Sequence, residues 1–223
     1  DSSAYGFRST ASGASSTSIG ASARATKQGS IAVGHLAAAN ADRSIAIGSG
    51  STANGSCSMA LGWNANATAT NAIAIGHTAN AVGINSTAVG TSAQAEANYA
   101  SSYGTLANAS GIASMAFGAG AIASETSSIA HGVNSTASGA NSSTFGTAAN
   151  ATAEDAIAFG HLAKASGSDA IAIGKSSVAS ASNSTAIGTD SQASGENSTA
   201  YGDSSKATGR NSSAFGFKAT ASG

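Results

Sequence analysis

The sequence predicts an all-β fold, a parallel β-roll solenoid of about 16 turns with 14 residues in each turn. Three observations lead to this prediction. Glycine recurs at every 14th position from Gly6 to Gly216, and we call these residues the ladder glycines. At fixed distances from a ladder glycine only small residues occur, and the position just before it is apolar or aromatic in all turns but one. No insertion interrupts this register, so we interpret residues 1–223 as one repeat domain.

The composition supports an ordered repeat rather than an ordinary globular domain. Ala (55), Ser (42) and Gly (28) dominate the 223 residues, Pro is absent, and 9% of the residues are charged. So little apolar bulk could not offset the chain entropy that a lone compact domain loses on folding. The net charge of −1 and the 41% of hydrophobic residues argue against disorder. Nine scattered Lys and Arg residues argue against nucleic acid or an anionic membrane as the partner.

The first strand of each turn ends at the ladder glycine. In the segment Ser44 to Gly48, the side chains alternate between small and apolar. Because successive side chains of a strand point to opposite faces, Ser44 and Ala46 share one face and Ile45 and Ile47 share the other. We expect the small face to line a narrow interior that admits nothing larger than Ala or Ser.

The second strand follows the ladder glycine, and its position five residues after the glycine is Ala in all 16 turns. Fourteen residues hold two strands of about four or five residues and two bends, which is too few for a three-sided coil. Each turn is therefore predicted to contribute one strand to each of two parallel sheets. The representative residues predicted to line the interior are Ala46, Ala53, Ala74, Ala81, Ala172 and Ala179.

Glycines are also expected at the bends of each turn. The ladder glycine stands at one bend, and a further glycine follows seven residues later in nine turns, for example Gly55, Gly83 and Gly139. We predict that both kinds occupy backbone angles that other residues avoid.

The outward apolar residues of the first strand form a long stripe, which we call the ridge. A contiguous apolar stripe on a monomer is an association site. A seam repeated in every turn favours burial between identical chains in a symmetric homo-oligomer. The residues predicted to form this shared core are Ile45, Ile47, Ile73, Ile75, Phe117, Ile129, His131, Phe159, Ile171, Ile173 and Ile187.

The repeat resembles that of a known protein family. The segments Ser44 to Gly48 (SIAIG), Asn71 to His77 (NAIAIGH) and Asn183 to Gly188 (NSTAIG) are similar to the head repeat of YadA-like trimeric autotransporter adhesins. The resemblance implies a left-handed β-roll, a homotrimer, and display beyond the outer membrane of a Gram-negative bacterium. It also implies adhesion to collagen, fibronectin, laminin, cells or abiotic surfaces. The chain is then expected to be a head fragment, without the signal, neck, stalk and membrane anchor of the family.

His131 is the one residue that replaces an apolar side chain directly before a ladder glycine. If the ridge faces an oligomer axis, its copies would meet there and could bind an anion or a metal ion. The alternative is a neutral histidine that is packed and hydrogen-bonded in the interface.

Trp63, His35, His77 and His161 each follow a ladder glycine directly. The three histidines lie three or six turns apart, too far to share a metal ion. An exposed Trp63 could anchor a partner, or it could pack on a neighbouring turn. No cofactor and no metal site are predicted.

Two other classes of function fit the repeat less well than adhesion does. An ice-binding solenoid is expected to carry an unbroken row of Thr, whereas Thr here is scattered. An ice-binding solenoid or a purely structural spacer without its own ligand stays open as the alternative to adhesion. A solenoid enzyme needs convergent acids, bases or a nucleophile. The closest acidic pair, Glu154 and Asp155, has no His or Lys partner nearby except Lys164, which lies beyond the next ladder glycine. We therefore expect no enzymatic activity.

Overall fold

The computed structural model describes residues 1–223 as 32 short parallel β-strands, two in each of 16 turns. The predicted parallel solenoid with 14-residue turns is confirmed. The turns are distributed over two compact units, Asp1–Ala113 and Ser114–Gly223, with eight turns in each. No helix of the structure is long and apolar enough to cross a membrane.

Each turn begins with a strand of three residues that ends directly before the ladder glycine. In the first unit these long strands are β1 (Ser3–Tyr5), β3 (Thr17–Ile19), β5 (Ile31–Val33), β7 (Ile45–Ile47), β9 (Met59–Leu61), β11 (Ile73–Ile75), β13 (Thr87–Val89) and β15 (Ser101–Tyr103). In the second unit they are β17 (Met115–Phe117), β19 (Ile129–His131), β21 (Ser143–Phe145), β23 (Ile157–Phe159), β25 (Ile171–Ile173), β27 (Thr185–Ile187), β29 (Thr199–Tyr201) and β31 (Ser213–Phe215).

The second strand of each turn has two residues, and the second of them is always Ala. In the first unit these short strands are β2 (Thr10–Ala11), β4 (Arg24–Ala25), β6 (Ala38–Ala39), β8 (Thr52–Ala53), β10 (Asn66–Ala67), β12 (Asn80–Ala81), β14 (Gln94–Ala95) and β16 (Asn108–Ala109). In the second unit they are β18 (Ile122–Ala123), β20 (Thr136–Ala137), β22 (Asn150–Ala151), β24 (Lys164–Ala165), β26 (Val178–Ala179), β28 (Gln192–Ala193), β30 (Lys206–Ala207) and β32 (Thr220–Ala221).

Within each unit, long strands pair with long strands and short strands with short strands. In every pair, each residue lies opposite the residue 14 positions away in the sequence. Ile45 pairs with Ile31 on one side and Met59 on the other. The main chain follows the same register, because Ile45 N–H donates to the carbonyl of Ser58 at 2.9 Å. Each such bond contributes on the order of 1 kcal/mol, and the ladder repeats it in every turn.

The strands are shorter than the four or five residues that the sequence predicted. Every turn leaves the β region of backbone space at both bends. At one bend the ladder glycine has φ between +119° and +142° and is followed two residues later by a left-handed residue, such as Leu36 with φ of 59°. At the other bend a left-handed residue such as Arg43, with φ of 55°, precedes the next long strand. These departures limit the paired segments to three and two residues.

The prediction for the second set of glycines was wrong. Gly55, Gly83 and Gly139 do not have positive φ. A Cβ at Gly139 would instead collide with the carbonyl of Ala153 in the next turn, so close approach of the main chains explains this glycine. The left-handed conformation at this bend falls on the residue two positions later, as at Asn85 and Asn141, and Asn tolerates it better than most residues.

The interior between the two sheets contains only small side chains. The largest side chain that is fully buried is Thr144, whose partners in the neighbouring turns are Ala130 and Ala158. An alanine core buries little area per residue, so the roll is thin. The interior alanines singled out above are all 0% exposed: Ala46, Ala53, Ala74, Ala81, Ala172 and Ala179.

Several interior serines bond to the main chain of the bends. After the ladder glycine, Ser51 Oγ donates to the carbonyl of Gly48 at 2.9 Å. Before the long strand, Ser44 Oγ donates to the carbonyl of Ala41 at 2.7 Å. These local side-chain bonds satisfy a buried hydroxyl at the point where the strand ladder stops. Ser16 and Ser86 each follow a glycine by three residues, where Ser44 follows Ala41. Their hydroxyls have no partner in the chain, so these two serines lack the bond that Ser44 makes.

Candidate functional site

The apolar residues of the ridge stand at the first and third positions of the long strands. In the first unit Ile45 pairs with Ile31 and Met59, and in the second unit Ile171 pairs with Ile157 and Thr185. The side chains therefore stand in two columns on the outer face of the long-strand sheet. Of the residues predicted for a shared core, the structure leaves four exposed, namely Ile47, His131, Phe159 and Ile173. It leaves the others half-buried, namely Ile45, Ile73, Ile75, Phe117, Ile129, Ile171 and Ile187.

Large apolar side chains are exposed on the column next to the ladder glycines and also at the bends, for example at Leu36 and Leu106. Phe159 is 54% exposed and Tyr201 is also 54% exposed. A stripe of this kind in every turn is larger than the isolated apolar residues that any surface carries. The chemistry it offers is dispersion contact with another apolar surface, since the ridge residues other than His131 carry no ionisable group near neutral pH.

Four neighbouring rings of the second unit, those of Phe117, His131, Phe145 and Phe159, form a column on the ridge. His131 stands between Phe117 and Phe145, with ring centroids 5.9 and 5.5 Å away. Phe145 then contacts Phe159 at 5.8 Å, and all three pairs are tilted by 33° to 48°. Tilted rings at such distances are favourable beyond the area they bury. Phe145 was not among the predicted core residues, although its place directly before Gly146 gave the same signal as Phe159.

The neighbours of His131 along this column, Phe117 and Phe145, are both apolar. The ring makes no hydrogen bond within the chain, and no charged residue belongs to the paired strands β17 and β21. An open groove of about 590 Å³ runs beside it, lined by His131, Val133, Phe145, Thr147, Phe159 and the adjoining ladder glycines.

The outer face of the short strands has a different character. Asn66 donates from its side-chain amide to Asn80 Oδ1 at 2.9 Å, one turn away. Asn40 bonds in the same manner to Asn54. These amide pairs link successive turns, so this face is flat and polar, and it lacks the apolar content of the ridge.

Further candidate residues, Trp63 and the histidines at the equivalent position, lie at the bend after the ladder glycine. Trp63 stacks on His77, with ring centroids 4.6 Å apart and planes 18° from parallel. Packing against a neighbouring turn, one of the two alternatives for Trp63, is therefore present. No group of three or more His, Cys, Asp or Glu residues is placed to hold a metal ion.

A family model described as the YadA head domain repeat matches residues 25–51, 52–79, 81–107, 109–135, 137–163, 151–177, 179–205 and 207–223. Curated protein sequences give no match. Among solved structures, the chain is similar to the collagen-binding domain of the Yersinia adhesin YadA, with 28% identity, 82% of this chain and 70% of that chain covered, and a TM-score of 0.38.

Proposed function

Because the chain belongs to the YadA head-repeat family, we propose that residues 1–223 form one head domain of a trimeric autotransporter adhesin. The head is displayed on a Gram-negative cell and anchored in the outer membrane by other parts of the polypeptide. It attaches the cell to collagen, fibronectin, laminin, other cells or abiotic surfaces, and it does so by binding and not by catalysis. The observation that carries the proposal is the family repeat, matched from residue 25 to residue 223.

The ridge supports assembly through the long-strand face. A chain whose own interior contains only Ala, Ser and one Thr has its large apolar groups outside. Water is removed from these groups when the ridges of identical chains meet, at roughly 25 cal/mol per Å² of apolar surface. We propose three left-handed rolls around one axis, with the ridges at the centre.

The first test changes the ridge by one charge. We expect the unchanged chain to sediment as a trimer and the Ile173→Glu variant to sediment as a monomer. Three carboxylates would otherwise be buried together near the axis without partners, at a cost of several kcal/mol. Gln192→Glu is the matched control, because it places the same carboxylate on the exposed face of a short strand, and this variant should remain a trimer. A monomeric unchanged chain in analytical ultracentrifugation would refute the assembly.

The second test concerns attachment. Many weak contacts, multiplied by three chains and by many molecules, are expected to give strong overall binding. Deleting residues 161–202 removes three whole turns and joins Gly160 to Asp203 in register. This variant should keep its β-structure by circular dichroism, because each turn contacts only its neighbours. Its binding to immobilised collagen, fibronectin or laminin should fall in proportion to the turns lost or more steeply.

Deletion of residues 161–196 is the control for register. It joins Gly160 to Asn197 and moves Thr199 and Tyr201 into the interior places of Ala163 and Ala165, so the turns after the junction should lose their structure. Adhesion as a function is contradicted if the unchanged chain binds no member of a panel of matrix proteins, cells and bare surfaces.

A further inference from the structure

The bends after the ladder glycines stack one above the other in the first unit. Gly50 N–H donates to the carbonyl of His35, and Asn64 N–H donates to the carbonyl of Ser49, both at 2.9 Å. Thr78 N–H donates to the carbonyl of Trp63, also at 2.9 Å. His35, Ser49, Trp63 and His77 therefore occupy the same bend position in four consecutive turns, about 4.8 Å apart.

Trp63 presents one free aromatic face in this column. Its other face is covered by His77, whose ring lies 4.6 Å away and nearly parallel, which matches the spacing of the turns. The indole is 50% exposed. Toward the preceding turns it has no ring neighbour, because Ser49 occupies the next bend.

The bend at Ser49 and Gly50 has almost no side chain, so a gap lies between His35 and Trp63. Two turns separate the main chains of these two residues, which corresponds to about 9.6 Å. His35 is exposed, and its ring makes no hydrogen bond within the chain. We call this gap the notch and define it by His35, Ser49, Gly50, Trp63 and Asn64.

The base of the notch is polar. The side chain of Asn64 lies over Gly50, since a Cβ built on Gly50 would meet Asn64 Oδ1. Ser49 adds a hydroxyl beside this amide. Both groups can donate and accept hydrogen bonds. The notch contains no Asp, Glu, Lys or Arg, so its chemistry suits a neutral ligand with two apolar faces and a polar rim.

A six-membered sugar ring has this form. A flat guest in van der Waals contact with both walls would need a gap of about 7 Å, which is thinner than the notch. A pyranose chair is thicker, because its axial hydrogens project on both faces. Its equatorial hydroxyls lie around the rim, where Ser49 and Asn64 can bond to them.

We propose that the notch binds one pyranose unit of a glycan, sandwiched between His35 and Trp63. Both sugar faces are apolar only when every ring substituent is equatorial, as in β-glucose and β-N-acetylglucosamine. Galactose and mannose each carry one axial hydroxyl, which would press a polar group on an aromatic wall. The notch therefore selects the gluco configuration. This inference goes beyond attachment to matrix proteins and does not depend on the trimer.

The second unit contains a similar bend without the aromatic wall. Gly120 is likewise covered by the side chain of Asn134, and its backbone angle, φ of 65°, is close to the 69° of Gly50. The residue equivalent to Trp63 is Val133. This bend keeps the amide of the base, but Ala119 stands in place of Ser49 and Thr105 in place of His35. It lacks both ring walls, so it serves as an internal comparison and is not expected to bind sugar.

The test uses Trp63 as its own reporter, since the chain has a single Trp. The intact chain is titrated with cellotriose, and tryptophan fluorescence is recorded. We expect a saturable change with cellotriose and at least about tenfold weaker binding of β-1,4-galactotriose. Val133→Ala should bind like the unchanged chain. Absence of a saturable response to cellotriose, or equal responses to the two sugars, overturns the proposal.

Two further variants separate binding from folding. Ser49→Phe fills the notch with a ring, so it should preserve the circular dichroism spectrum and abolish the response to cellotriose. Trp63→Ala should remove the saturation-transfer NMR signal of cellotriose. Binding by Ser49→Phe at the original strength would overturn the sandwich. Because Ser49→Phe leaves the ridge unchanged, its sedimentation and matrix binding report on the adhesin proposal separately.

Discussion

Gly34→Ala is expected to destabilise the first unit by roughly 3 kcal/mol or more. Gly34 has φ of +132°, a region that residues with a Cβ rarely enter. A Cβ built there would lie 2.7 Å from the carbonyl carbon and oxygen of Gly48. These are main-chain atoms held by the ladder, so they cannot move aside without breaking the turn. Thermal unfolding followed by circular dichroism measures the effect.

Gly29→Asn is the matched control, five residues before Gly34. Gly29 also has positive φ, +64°, but a Cβ there would meet only Arg43 Cγ at 3.6 Å. Asn occupies the equivalent place at Asn71 and Asn85 with φ of 58° and 56°. This variant should unfold within about 0.5 kcal/mol of the unchanged chain. Equal losses for the two variants would show that positive φ, and not the close approach of consecutive turns, determines the cost.

Ala172→Leu is expected to destabilise the second unit by about 3 kcal/mol. Ala172 is 0% exposed and lies in register between Ala158 and Ala186. The interior is closed on the opposite side by alanines of the short strands, including Ala165 and Ala179. Three added carbon atoms would force the two sheets apart, and close-packed interiors transmit such strain to their neighbours.

Gln192→Leu provides the comparison for this variant. It introduces the same side chain on the outer face of a short strand, where Gln192 is exposed. We expect a change within about 0.5 kcal/mol in thermal unfolding. If Ala172→Leu were tolerated as well as Gln192→Leu, the interior around Ala172 would not be close-packed, and the prediction would be wrong.

The fold could be predicted because every turn repeats the same constraint. The period of 14 residues, the alternation in SIAIG and the constant Ala at Ala53 and its equivalents together define two parallel sheets with a small-residue interior. Strand length was overestimated, since alternation continues into residues that have already left the ladder. The role of Gly139 was misjudged for a related reason: whether a glycine is needed for its φ or for a close contact depends on the next turn.

The candidate site was predicted as a class of surface and not as a set of contacts. Apolar residues before the ladder glycines indicated a ridge, and the structure places them on one outer face. The ring column through His131 and Phe145 and the stack of Trp63 on His77 involve residues 14 positions apart. In the sequence these residues are equivalent positions of a repeat, and the repeat pattern does not show that the side chains of consecutive turns contact each other.

The sequence by itself determined the length of a turn, the residues that face inward and outward, and the family of the chain. A single period repeated 16 times constrains each of these properties independently of distant parts of the molecule. Only the tertiary structure decided where the strands end, which bends are left-handed, and which rings meet. The physical reason is the spacing of the turns, which brings the rings of Trp63 and His77, 14 residues apart in sequence, to a centroid distance of 4.6 Å. Contacts of this kind depend on which side chains occupy neighbouring turns, and only the structure shows them.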